Sequence, residues 1–98
     1  VAGVPPTFDA TVRRAAVLSR ITDDFAVVCA TDGRCVEMAG TARTVWLALP
    51  DHDQPPVHIA ALVAELAAKH FADRDVVAAD VMMVLSTLEE AGCAARGT

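Results

Sequence analysis

The stretch Phe25–Met38, FAVVCATDGRCVEM, decides the fold. An apolar run, FAVVCA, meets Thr31-Asp32-Gly33, and RCVEM follows with alternating character. Asp-Gly between two such runs is a strong hairpin signal, because a type I′ turn needs positive φ at both central residues and these two residue types tolerate it. Residues 25–30 and 34–38 are therefore expected to be antiparallel strands. The unbroken apolarity of the first predicts a strand covered on both faces or nearly so. In the second, Val36 and Met38 share one face and Cys35 and Glu37 the other. Loop length sets the register. A two-residue Asp-Gly loop pairs Thr31 with Arg34 and Cys29 with Val36, leaving Cys29 and Cys35 on opposite faces; a three-residue loop sets the two sulfurs opposite each other. The shorter loop is favoured, and with it free thiols.

Working outward, AAVLSRI over residues 15–21 supplies an earlier strand and completes a three-stranded antiparallel meander. Residues 1–14 contain Pro5-Pro6 and show no sustained period, which predicts a flexible arm. On the other side the period changes after Ala39-Gly40. Thr41 is placed to cap a short helix through TARTVWLAL, with Val45, Trp46 and Leu49 on one side and Pro50 as its stop. Pro56 opens a second helix from Val57 to about Phe71, with Ile59, Leu62, Val63, Leu66 and His70 at helical spacing. His70 fits its last turn, where the helix dipole favours a cation. A third helix runs from Asp73 to about Ala91 and ends at Gly92. One of its faces carries Val77, Val81, Val84, Leu85 and Leu88, and a neighbouring line carries Val76, Asp80, Met83 and Thr87. Strands first and helices second make an α+β domain over residues 15–94, with 95–98 as a tail.

Composition narrows the function classes. With 98 residues, 54% hydrophobic and 21% charged, the chain forms one folded domain rather than a disordered segment. No apolar run approaches the ~20 residues that span a bilayer, and the first residues lack a secretory pattern, so a cytoplasmic protein without membrane contact is expected. A formal net charge of −5 opposes nucleic-acid binding, which draws its affinity from cations replacing counterions on phosphates. Cys29, Cys35 and Cys93 lack C-x-x-C spacing, and His52, His58 and His70 sit in different contexts, so no metal site is expected. Phosphate-loop, nucleophile-elbow and zinc-helix motifs are missing, and the carboxylate pairs Asp23-Asp24, Asp51/Asp53 and Glu89-Glu90 read as solvated charge. The expectation is a binding module with no catalytic residue and no cofactor. Its candidate surface is the outer edge of the third meander strand, which lacks Lys and Pro and could accept a peptide strand. The alternatives are that the N-terminal arm or first strand covers this edge, or that a second copy pairs with it to form a homodimer.

Two longer segments carry a family resemblance. The order strand, strand, D-G-R turn, strand, then MAGTARTVWLAL resembles the PqqD-like family. So does IAALVAELAAKHFADRDVVAADVMMVLSTLEEAGC, with Leu62 to Phe71, Ala79-Asp80-Val81 and Leu85 to Gly92 in the matching places. It covers about Val17 to Cys93; Gly40 stands where members often carry Pro, and Cys93 where an aliphatic residue is usual. The resemblance implies a winged helix-turn-helix-like domain that recognises the leader segment of a ribosomally made, post-translationally modified precursor peptide. Such domains take the leader as an added strand beside their third strand, against their third helix, and deliver it to a separate modifying enzyme or leader peptidase. The short chain and the ARTVWLAL wording look most like the stand-alone recognition protein of lasso-peptide biosynthesis. The coenzyme PQQ version, partnered with a radical SAM enzyme, is the nearest competitor. Carried over to this sequence, the implied peptide-binding residues are Arg34, Cys35, Val36, Glu37 and Met38 on the strand and Val76, Asp80 and Met83 on the helix. The backbone groups of Cys35 and Glu37 would face the free edge, and Asp80 would accept a hydrogen bond from the leader or face water. A winged-helix DNA-binding domain is the rival from another class. Its recognition helix would hold Asp73, Asp75, Asp80, Glu89 and Glu90 against Arg74, a poor match to phosphates.

Overall fold

The computed structural model describes residues 10–70 and 72–97. The first nine residues of the expected arm, Phe71 at the expected end of the second helix, and Thr98 lie outside the described residues. The architecture is α+β, with two three-stranded antiparallel sheets and three helices among the described residues. The strands are β1 (Thr11–Arg14), β2 (Leu18–Ile21), β3 (Phe25–Cys29), β4 (Cys35–Ala39), β5 (Val57–His58) and β6 (Ala94–Gly97). The helices are α1 (Gly40–Ala48), α2 (Ile59–His70) and α3 (Arg74–Glu90).

The expected meander is present as the sheet β2-β3-β4, but its register is the one set by the longer loop. Ala30 N donates to Arg34 O at 2.7 Å and Gly33 N donates to Ala30 O at 3.0 Å, leaving Thr31-Asp32-Gly33 as the loop. Gly33 has φ +91°, the left-handed residue that ends a three-residue hairpin loop and forms a bulge with its successor. Cys29 is then paired with Cys35, and their sulfurs form a disulfide across a Cα–Cα distance of 4.0 Å. The expected two-residue loop and free thiols are both overturned. The faces of β3 follow the register. Ala26 and Val28 join Met38 in the core, while Phe25 and Val27 stay exposed on the other side, so this strand is not covered on both faces.

A second sheet, ordered β5-β1-β6, was not expected. Thr11–Arg14 is a strand within the segment read as an arm, and it pairs with Ala94–Gly97, most of which was read as a tail. TVRR has one apolar residue, so neither alternation nor propensity marks it as a strand; fully buried Val12 makes it one. Tertiary context supplies what local pattern lacks.

The helices differ from expectation at their starts. Ala39, whose methyl cannot cap, precedes α1, and Thr41 lies inside the helix. Val57 and His58 pair with β1 as β5, so α2 begins at Ile59. For α3 the expected ends hold: Asp73 Oδ1 accepts from Asp75 N at 2.8 Å. At the other end Gly92 N donates to Glu89 O and Cys93 N to Leu88 O, with Gly92 at φ +75°. These two bonds form a Schellman stop. Buried Cys93 fills the aliphatic position there as a small hydrophobe, and burial raises its thiol pKa.

Trp46, Ile59, Leu62, Val81, Leu85 and Leu88 are fully buried where the three helices meet. Arg14 joins this core to the second sheet. Its guanidinium lies 4.6 Å from the centre of the Trp46 ring and donates from Nη2 to Trp46 O at 2.8 Å. Replacing Arg14 with Ala removes a cation–π contact and a hydrogen bond to a carbonyl at the end of α1. The expected cost is about 1–3 kcal/mol. Thermal unfolding followed by circular dichroism should show the melting temperature of Arg14→Ala lowered by roughly 5–15 °C, with Arg14→Lys in between.

Candidate functional site

The site is built around β4, an edge strand. Antiparallel alternation begins at the Ala30–Arg34 bond, so the backbone groups of Val36 and Met38 face β3 and those of Cys35, Glu37 and Ala39 face outward. Among the described residues no strand pairs with that outer side. The change of loop length inverted the faces of β3 but left β4 in the parity that the sequence reading assumed.

Next to this edge runs α3. A cavity of about 230 Å³ separates them, lined from β4 by Val36, Glu37 and Met38 and from α3 by Met83, Val84, Thr87 and Leu88, with Ala42 at one end. Four of the eight residues singled out from the sequence therefore share one groove. Met83 is 65% exposed there, an unbranched side chain able to adapt to a ligand group. Val76 and Asp80 line a separate cavity of about 210 Å³ farther along α3, with Val77, Thr41, Thr44 and His70. Val76 is 59% exposed and Asp80 is half-buried. The two cavities follow one another along α3, consistent with the line Val76, Asp80, Met83 and Thr87 seen in its sequence.

Arg34 and Cys35 stand outside both cavities. The side chain of Cys35 is locked to Cys29 on the face that carries exposed Val27 and Phe25. Arg34 folds back over its own turn: Nε pairs with Asp32 Oδ2 at 2.6 Å, while Nη1 donates to Glu90 O at the end of α3. It thereby ties the β3–β4 turn to α3 and fixes one end of the groove. A Cβ on Gly92 would sit 3.4 Å from Arg34 Nη2, an ordinary contact, so it is the positive φ of this position and not crowding by the strap that calls for glycine. Sequence reasoning missed Ala42, Thr41 and Thr44, whose positions depend on how α1 packs. The disulfide had a readable signal, because Gly as the last of three loop residues fits a bulged hairpin as well as Asp-Gly fits a tight one.

The profile of the family described as Coenzyme PQQ synthesis protein D (PqqD) matches residues 14–94. The chain belongs to this family. No curated protein and no solved structure matches it.

The Arg34 N–H, and after it the Arg34 side chain, hold the Asp32 carboxyl below the usual carboxylate pKa. A depressed folded-state pKa adds stability that is present above the unfolded-state value and is lost as pH falls through the folded one. Asp32→Asn keeps the turn's acceptor and removes the charge. Urea unfolding should therefore show wild type more stable than Asp32→Asn at neutral pH, by a small amount because the pair is exposed. The difference should disappear in strong acid, and Arg34→Ala should shrink it at neutral pH without abolishing it, because the backbone N–H at position 34 still donates to Asp32.

Proposed function

We propose that this chain is a non-catalytic recognition domain that binds the leader segment of a ribosomally made precursor peptide as an added strand on β4, above α3. The observation that carries this reading is the outward row of backbone groups at Cys35, Glu37 and Ala39 beside an apolar cavity shared by β4 and α3. Backbone pairing supplies affinity that depends little on sequence, and side chains entering the cavity supply selection. Family membership supports a role beside peptide-modifying enzymes. The bound leader is presented to a separate enzyme. In the reading we favour that enzyme is the leader peptidase of a lasso-peptide system, acting with a cyclase.

The family description favours a second reading, delivery of a peptide to a radical SAM enzyme in PQQ formation. Both readings use the same edge and differ in the enzyme that collects the peptide. Duplex DNA is a weaker candidate, since α3 carries Asp75, Asp80, Glu89 and Glu90 against Arg74 alone. Mass spectrometry of short peptides co-purifying with the protein from its native host separates the two pathways, because a leader sequence names its product.

Proline substitutions test the edge itself. Glu37→Pro removes an outward N–H and leaves the ladder to β3 intact, whereas Val36→Pro removes an inward one. With the co-purified peptide as ligand, titration calorimetry should show Glu37→Pro folded and binding about tenfold or more weakly. Val36→Pro should lose the native circular dichroism spectrum. Normal binding by folded Glu37→Pro would sink the edge reading. Met83→Ala should weaken binding severalfold without changing the melting temperature, because the side chain is exposed in the free protein.

A further inference from the structure

We propose that the Cys29–Cys35 disulfide is a redox latch on the peptide-binding edge: closed, it holds β4 in register for strand addition, and opened to two thiols it lets the edge fray and weakens peptide binding. This rests on β4 being the docking edge. Four observations support it.

The bridge joins partner residues of β3 and β4 next to the hairpin turn, at the pair that exchanges no backbone hydrogen bonds. There the covalent link takes the place of backbone hydrogen bonds, between the bonded pairs Ala30–Arg34 and Val28–Val36. Cys35 is also one of the residues whose own backbone groups face outward, so the bridge restrains part of the row that a peptide would pair with. The strand it restrains has only five residues and is laddered on one side. Second, the bridge is placed for exchange. Cys35 is exposed and Cys29 half-buried, and exposed disulfides are the reducible ones. Third, neither sulfur lines the groove, so opening the bridge removes no side-chain contact with a peptide. Fourth, the core does not need it. Ala26, Val28 and Met38 are buried on the opposite face, and Arg34 still ties the turn to α3. Opening is therefore local to the edge rather than global.

The chemistry requires a dithiol reductant. Its thiolate attacks Cys35 Sγ, forming a mixed disulfide and releasing Cys29 as a thiolate that takes up a proton. The second thiol of the reductant then displaces Cys35, leaving two protein thiols and an oxidised reductant. Two electrons pass to the protein. Buried Cys93 takes no part, since its thiol is out of reach of solvent.

Random 15-residue peptides displayed on phage are selected separately on the oxidised protein and on the Cys29→Ser/Cys35→Ser double variant. The selected peptides are then titrated against oxidised wild type, dithiothreitol-reduced wild type and the double variant. Oxidised protein should bind at least about fivefold more tightly, because apparent affinity falls in proportion to the strand-competent population. Reduced wild type should match the double variant, and dithiothreitol should leave the double variant unchanged. Hydrogen exchange should quicken at Val28 and Val36 on reduction and stay constant at Leu85. Equal affinities in the two states overturn the latch while leaving the edge reading intact. Loss of helical circular dichroism on reduction also overturns it, since the bridge would then be a global staple. If no peptide is enriched on either form, the edge reading fails and the latch with it.

Discussion

The left-handed conformation of Gly33 is the constraint on which the candidate site depends. By absorbing one residue beyond a tight turn it sets Cys29 against Cys35 and Ala26 against Met38. Because side chains alternate along a strand, a slip of one residue would exchange the two faces of β3. Val27 and Cys29 would then enter the core in place of Ala26 and Val28. In the observed register Ala26, Val28 and Met38 are the residues that face the core.

Much of this was legible in the sequence, and the limits have physical causes. The meander, the Gly92 stop of α3 and the two lines of side chains on that helix were readable because each rests on local chemistry: periodicity, turn residues and a left-handed glycine. The outward parity of Cys35 and Glu37 survived an error in loop length because the two loops differ by a one-residue shift of β3 against an unchanged β4. Thr31-Asp32-Gly33 is compatible with both loops, and what separates them is which β3 residues meet the helices. The β5-β1-β6 sheet was not legible. Val57–His58 and Thr11–Arg14 are too short and too polar to declare themselves, and they become strands only through pairing: β5 with β1, and β1 with both β5 and β6. Of the candidate site, the groove wall on α3 was visible as a line of spacing, whereas the contribution of Ala42 required the packing angle of α1.

Arg14 shows how the two sheets are made to act as one body. It leaves β1, crosses the face of Trp46 and reaches the carbonyl of the same residue, while Arg14 N donates to Pro50 O. The end of α1 is thus held by the second sheet and its start continues directly from β4. On the far side, Arg96 of β6 pairs with Glu89 of α3. Strands that take no part in the groove thus tie down α1 and α3, while β4 is held by β3 on one side only.

The pairing of Thr11 with Gly97 bears on how the chain reaches this state. The meander and the α1–α2–α3 succession can form from neighbours in sequence, but β1 and β6 meet only after nearly the whole described chain has been folded back. Closing so long a loop is entropically unrewarded until the helices present the surface that Val12 covers. The second sheet is thus the part with the longest loop to close, whereas the half that carries the candidate groove rests on contacts between sequence neighbours.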